Sequence, residues 1–350
     1  VNGNEMILAI LSFLVFAWFI AGYLGVSQNL RGASVFITLA SILGALFLIP
    51  ETNSFSIIMG GWAPWATISF IFCVTFFFRL FINSLRNKSN EGYPDEVQEA
   101  DEFSNHELER YSRHILLKEL GGLGQRRIKD SSVLIIGAGG LGAPVIQYLA
   151  ASGVGTIGII DHDKVSLSNL QRQVIYPTKQ VGEQKVFSAV DAIYRLNNNV
   201  NVRPYNRRLN SEIAEEIFSE YDVVVDGTDN FETRYISNSA AVITKKHLVS
   251  GALSQWEGQV SVFAPHKGGP CYACVFPSPP KDGLAVTCSE GGVFSPLPGV
   301  IGSVMAVETL KILSHSGNTL LGQMFIYDGL KGESRKIKIN PNKKCPICSI

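Results

Sequence analysis

Val133-Leu134-Ile135-Ile136 runs directly into Gly137-Ala138-Gly139-Gly140-Leu141-Gly142, and no other stretch restricts the possible folds as tightly. The four aliphatic residues predict a strand buried on both faces. The glycines allow a tight turn and a close approach of backbone to an anion, and residues 143–152 continue as a helix whose N-terminus faces that anion. Taken alone, the pattern indicates a nucleotide site, and a nicotinamide oxidoreductase is one reading of it.

The chain has 350 residues, 46% of them hydrophobic, with balanced charge, which gives room for two or three structural units and no basic excess of the nucleic-acid-binding kind. The charges are unevenly spread, with very few before Arg79. Three apolar runs, 6–26, 33–49 and 62–82, are long enough to cross a bilayer as helices, with Trp18, Trp62 and Trp65 suited to its interfaces. Arg31 falls in the first loop and Glu51 in the second, while Arg79, Arg86 and Lys88 close the third run. The positive-inside rule then places the N-terminus outside and everything after Lys88 in the cytoplasm, as in a multi-pass inner-membrane protein. A buried helical hairpin of a soluble protein is the competing reading. On this basis residues 1–88 form a membrane region, 89–103 a polar linker and 104–350 an α/β body.

Within that body, Thr156-Ile157-Gly158-Ile159-Ile160-Asp161 predicts a second strand ending in an acid about 20 residues past the glycines, where ribose recognition needs one. Asp161 could equally be a strand-end cap. The polar segment 163–173 then stands where an oxidoreductase would continue into an ordinary crossover. Arg172 offers a fork of donors for phosphate oxygens, Asn169 and Gln173 offer amides, and Lys185 adds a charge at the start of a helix over 183–196. Singly these are surface residues; behind a glycine loop, their combination suits a triphosphate. A third strand, 222–226, runs into Gly227-Thr228-Asp229-Asn230 and a helix over 230–244. Asp229 at that strand end can hold Mg²⁺ against phosphates, although a helix cap is the plainer alternative. Upstream, Arg110, Arg113 and His114 share a face of a helix over 109–116.

Of six cysteines, Cys73 lies in the third apolar run and Cys288 stands alone in a small-residue loop. Cys271/Cys274 and Cys345/Cys348 form two Cys-x-x-Cys pairs, together supplying the four ligands of a closed structural zinc site. A redox-active dithiol is the rival, but neither pair opens a thioredoxin-like helix.

The order of these motifs, Arg-Tyr-Ser-Arg-His at 110–114, the glycine loop, Asp-His-Asp-Lys-Val-Ser-Leu-Ser-Asn-Leu-Gln-Arg-Gln at 161–173, Gly-Thr-Asp-Asn at 227–230, the cysteine pairs, and Pro-Gly-Val-Ile-Gly-Ser at 298–303 before a late helix, resembles the MoeB/ThiF/HesA family, relatives of ubiquitin-activating enzymes. The resemblance covers about residues 104–350 and implies a Rossmann-like ATP-binding domain with a mixed sheet. It implies a homodimer that uses ATP and Mg²⁺ to adenylate the C-terminal glycine of a small ubiquitin-like sulfur carrier, and a bound Zn²⁺. Carried over, Gly137, Gly139, Gly140 and Gly142 would contact nucleotide and Asp161 the ribose. Asn169, Arg172 and Lys185 would bind the phosphates, Asp229 would place the metal, Ser168, Leu170, Gln171 and Asn230 would complete the nucleotide site, and Arg113 would reach the partner's site. Cys288 matches a position where some relatives carry a covalently acting cysteine. With no rhodanese-type domain after Cys348, a separate persulfide donor is expected. Adenylation of a peptide or nucleoside, or a membrane scaffold that binds nucleotide without turnover, are the alternatives.

Overall fold

The computed structural model describes residues 3–23, 28–48, 62–90, 103–279 and 291–349. The chain divides into two compact units, residues 1–101 and 102–350.

Among its described residues the first unit holds three helices, α1 (Gly3–Tyr23), α2 (Gln28–Leu48) and α3 (Trp62–Asn90). Ile7, Leu39, Leu46 and Trp65 are buried among them, while Phe13, Phe16, Phe19, Phe47, Phe77 and Phe78 stay exposed. The helices fall where the sequence reading placed its spans, but their apolar cores are shorter than the expected 6–26, 33–49 and 62–82. Among the described residues those cores are 7–21, 34–48 and 62–78. At 1.5 Å per residue, these lengths fall short of a hydrocarbon core of about 30 Å. Helix α3 also continues through Lys88 to Asn90, taking in residues read as the start of the linker; most of the remainder, 91–102, lies outside the described residues. The one described helix that is long and apolar enough to cross a membrane is Leu297–Ser314, and it is a core helix of the second unit.

That second unit opens with α4 (Asn105–Ile115) and α5 (Gly121–Asp130). Ser104 and Glu107 form a capping box at the start of α4, each satisfying a backbone donor of the other. Five parallel strands follow, with three antiparallel ones after them: β1 (Ser132–Ile136), β2 (Thr156–Ile160), β3 (Asn201–Tyr205), β4 (Val223–Asp226), β5 (His247–Leu253), β6 (Glu257–Phe263), β7 (Gln323–Asp328) and β8 (Glu333–Lys338). They make one sheet in the order β3-β2-β1-β4-β5-β6-β7-β8. The order reverses between β1 and β4, and open α/β sheets bind ligands at such a switch point, beyond the strands' C-terminal ends.

Alternation along β1 explains its continuous apolar run. Val133 and Ile135 join one core with α6 (Gly142–Ala151), α7 (Lys185–Leu196) and α11 (Leu297–Ser314). Leu134 and Ile136 join the other with α8 (Ser211–Ser219) and α9 (Phe231–Ile243). A sheet covered on both faces needs both sets of residues apolar. A short α10 (Tyr272–Val275) carries the first cysteine pair. The Pro-Gly-Val-Ile-Gly-Ser segment does not precede the late helix but forms the first turns of α11, with Pro298 in the first turn, where a missing N–H costs nothing.

The turn from β1 into α6 leaves no room for a side chain. Gly137 has φ +87°, and a Cβ on Gly142 would lie 1.9 Å from the Gly137 carbonyl oxygen. Gly142→Ala is expected to destabilise the second unit by about 1–3 kcal/mol through forced overpacking and to abolish nucleotide binding, as read by urea unfolding and calorimetric ATP titration.

Candidate active site

The crevice lies at the C-terminal ends of β1, β2 and β4. The Gly137 and Gly227 N–H groups donate to Ile160 and Ile136 oxygens at 2.9 and 3.0 Å, so both loops leave the sheet in register. Asp161 follows β2 directly. One of its oxygens accepts from the Ala138 N–H at 2.7 Å and the other from the Asp163 N–H at 2.8 Å. The proposed ribose acid is thus also the strut that holds the glycine loop, combining the two readings of that residue. Tyr176 donates to the Ala138 oxygen at 2.7 Å, and burial, reinforced by Asp161 and Asp163, holds its phenol far above the usual range, so it stays a neutral donor.

The phosphate-binding candidates gather over this loop. Arg172 donates to Asn169 Oδ1 at 2.9 Å and to the Ser168 carbonyl at 3.3 Å, and its Cδ would be 3.6 Å from a Cβ on Gly140. Pro298 of α11 closes on Gly140 from another side, at 3.2 Å from the same point. Ser295 donates to the Gln171 carbonyl, tying the approach to α11 to this segment. Leu170 packs against the core and anchors the segment, whereas Ser168 and Gln171 are exposed. Gln173 is buried, with its Nε2 beside Gly139 and its Oε1 lacking a hydrogen-bond partner among the described residues.

Lys185, only 4% exposed, does not stand free: its Nζ is 2.8 Å from Asp163 Oδ2. Burial raises the Asp163 carboxyl, but the hydrogen bond and charge of Lys185 outweigh it and hold the group below its ordinary range. The pair therefore stays ionised at neutral pH and separates only in acid, as pH falls through the depressed Asp163 value.

At the end of β4, Asp229 is exposed with a free carboxylate among the described residues. The helix cap expected as its alternative role falls instead on Asn230, whose Oδ1 accepts from the Thr233 N–H at 2.9 Å. Asn230 thus caps the helix through Oδ1, which leaves the Asp229 carboxylate as the oxygen donor available to a metal at this turn. Arg113 is exposed, whereas its neighbours are engaged: Arg110 donates to the Leu196 carbonyl at 2.9 Å and His114 Nδ1 lies 3.0 Å from Gln125 Oε1. The face expected to be shared by three basic residues is left to Arg113. Cys288 lies outside the described residues.

Sequence reading passed over two residues. Asp226 is wholly buried; one oxygen accepts from Thr228 N–H and Oγ1 at 3.0 and 2.6 Å, while Oδ2 has no partner among the described residues. Arg234, 5% exposed, donates to Ser250 Oγ at 3.0 Å, to the Gly251 oxygen at 2.6 Å and to the Thr228 oxygen. Together they fix the Thr228–Asp229 turn from beneath. The signal was present in Val-Val-Val-Asp, an acid closing a strand with no polar face, but an arginine on a mixed helix carries none.

The four paired cysteines converge. Sulfur separations are 3.8 Å for Cys271–Cys274, 3.5 Å for Cys271–Cys345 and 3.4 Å for Cys274–Cys348, and all four sulfurs lie within 4.8 Å of one another. A tetrahedron with metal–sulfur bonds of about 2.3 Å has edges near 3.8 Å, so the donor set and spacing fit Zn²⁺. No pair is at bonding distance, and all four are free thiols.

A glycine loop at a switch point, Arg172 folded against it and four converging thiols define a nucleotide-binding α/β enzyme whose tail is gathered to α10 by its cysteines. Residues 111–347 match the ThiF family, and the chain belongs to it. The sulfur carrier protein adenylyltransferase of Thermus thermophilus is 48% identical over 250 residues, covering 70% of this chain and 92% of that protein. The mouse adenylyltransferase and sulfurtransferase MOCS3 is 46% identical over 247 residues, and the probable adenylyltransferase/sulfurtransferase MoeZ of Mycobacterium tuberculosis 46% over 256. The chain covers only 54% and 65% of those two proteins, and 70% and 72% of itself aligns with them. Among solved structures, E. coli MccB with ATP superposes with a TM-score of 0.61 at 23% identity, over 69% of this chain and 75% of MccB. PaaA gives 0.61 at 25% identity, over 75% and 81%.

Arg234→Met is expected to cost about 3 kcal/mol of stability by stranding buried acceptors, and to weaken nucleotide affinity through the loosened Asp229 turn; denaturation and calorimetry read the two effects separately. Elemental analysis is expected to find about one zinc ion per chain, and Cys345→Ser to lower both metal content and unfolding temperature.

Proposed function

We propose that this enzyme adenylates the C-terminal glycine carboxylate of a small ubiquitin-like sulfur-carrier protein, using ATP and releasing pyrophosphate. The observation that carries the reading is Arg172, folded against the glycine loop and braced by Asn169, with Lys185 held nearby. A dinucleotide oxidoreductase has no use for this charge, whereas a triphosphate does. Near-full coverage of the Thermus sulfur carrier protein adenylyltransferase supports the same substrate class.

In the reaction, a carboxylate oxygen attacks the α-phosphorus, forming the acyl–phosphate anhydride as the bond to pyrophosphate breaks. Pyrophosphate leaves with the bonding electron pair. The nucleophile is already ionised, so no general base or thiol is needed. Asp161 and the loop glycines bind ribose and backbone phosphates; Arg172 and Lys185 neutralise charge building on the leaving group. Lys185 must exchange some of its contact with Asp163 for phosphate, which keeps it positioned beforehand. Asp229 offers the hard oxygen that suits Mg²⁺, an ion that supplies further charge neutralisation when bound. Arg113, exposed on α4, reaches the active site of the partner in a homodimer.

The apolar helices α1 to α3 serve as a membrane tether, with the N-terminus outside and the catalytic unit in the cytoplasm. Their exposed phenylalanines support this reading, and local bilayer thinning accommodates the short apolar lengths.

The test is ATP–pyrophosphate exchange by the purified full chain with candidate carriers ending in Gly-Gly. Carrier-dependent exchange is expected, reduced at least ~100-fold by Asp229→Ala and by Arg172→Ala, since preorganised charge at such sites contributes that order. Exchange indifferent to both substitutions overturns the site assignment; ATP binding without exchange favours the scaffold.

A further inference from the structure

The geometry points to a second ligand site, a docking face for anionic phospholipid headgroups, at the end of the sheet opposite the nucleotide. The inference rests on the reading of α1 to α3 as a membrane tether.

Strand β8 is the outer edge of the sheet, and all six of its residues are exposed. From Lys331 to Lys344 the chain carries six basic residues against one acid, Glu333, within a sequence of zero net charge. The register locates this charge. Lys338 pairs with Gln323 at the start of β7, Met324 with Ser261 near the end of β6, and Phe263 with Leu248 at the start of β5. The basic end of β8 therefore lies where the parallel strands begin, whereas the glycine loop lies where they end.

Two clefts open at that end. One, of about 580 Å³, is lined by Lys267, Lys336 and Lys338 with the backbone of Gly268, Gly269 and Gly322. The second, of about 640 Å³, shares Lys267 and adds Arg127, Lys311 and His247. Lys267, Lys336 and Lys338 have no carboxylate partner among the described residues. In the second cleft Lys311 is paired with Glu308 and Asp130 with Arg126, while Asp222 accepts from Ser132 and keeps its charge, so the positive charge without a carboxylate partner centres on the first cleft. Burial, with the charges of His266 and Lys267, holds His247 down at about 4, so at neutral pH the positive charge there belongs to lysine and arginine. Structural lysines normally pair or point into open water; three that converge on a glycine-walled cleft match a phosphodiester.

Chain length favours a membrane as its source. Helix α3 ends at Asn90 and the second unit begins by Phe103, so the intervening twelve residues reach at most about 40 Å. A domain on so short a leash beside a bilayer must present some face to it, and this one gathers Lys267, Lys336 and Lys338 on one cleft with no carboxylate partner among the described residues. Each lysine near an anionic leaflet strengthens attraction roughly fivefold. Docked this way, the sheet would turn its nucleotide crevice away from the lipid, open to a carrier arriving from solution.

The full chain is reconstituted into vesicles of phosphatidylcholine alone and of phosphatidylcholine with phosphatidylglycerol, and amide hydrogen exchange is followed across 264–270 and 331–339. Exchange is expected to be several-fold slower in the anionic vesicles, to recover as added salt screens the charges, and to lose its lipid dependence in the triple variant Lys267→Glu, Lys336→Glu, Lys338→Glu, with pyrophosphate exchange unchanged. Equal exchange in both vesicles overturns the proposal. So does slowing that needs the carrier protein and appears equally in neutral vesicles, which assigns the clefts to an acidic protein surface. A chain that floats with neither vesicle removes the tether and this proposal together, while leaving the adenylation reading to its own assay.

Discussion

Everything in the catalytic unit hangs on one steric fact: between β1 and α6 the backbone passes so close to itself that Gly142 has no space for a methyl group. That contact sets the angle at which α6 leaves the sheet and turns its N-terminal amides toward the switch point between β1 and β4. It also brings Gly137 against the Gly227 carbonyl, at 3.3 Å from where a Cβ would stand, so the two loops that bound the crevice share one wall. A larger residue there would separate the phosphate-binding loop from the loop that carries Asp229.

Around that contact the polar groups act as braces as much as ligands. Asp161 holds Ala138, Tyr176 holds the same residue from its carbonyl side, and Arg234 holds Thr228. Charged side chains are costly to bury unless fully hydrogen-bonded, and the Arg234 guanidinium meets that condition through carbonyls and a hydroxyl. The resulting site is stiff before any nucleotide enters, which suits a reaction whose barrier is lowered mainly by positioning and fixed charge.

What the sequence made legible follows from how local each signal is. The β1 strand, its glycine turn and the acid closing β2 are contiguous patterns, and the structure places them as read. The cysteine pairs were legible because two short spacings of the same kind imply a common ion, however far apart in the chain. Partnerships were not legible: Lys185 with Asp163 and Arg234 with Ser250 depend on which strands become neighbours. Asn230 illustrates the limit in the other direction, since sequence placed the helix cap on Asp229 and only geometry shows that its neighbour makes it. The apolar helices show a different failure. Composition marks them clearly, but hydrophobic length depends on where each helix starts and stops, and α2 begins with the polar residues Gln28 and Asn29.

The thiol clip has a consequence for the nucleotide. Between Cys274 and Cys345 run α11, β7 and β8, and α11 supplies Pro298, which closes on Gly140. An ion held by the four sulfurs therefore constrains the chain segment that roofs the glycine loop. Thermodynamic linkage makes such a constraint mutual. To the degree that the clip favours the position of α11 against Gly140, a bound nucleotide must tighten binding of the ion by the same free energy, so that metal affinity becomes a reporter of occupancy at a site none of the cysteines touches.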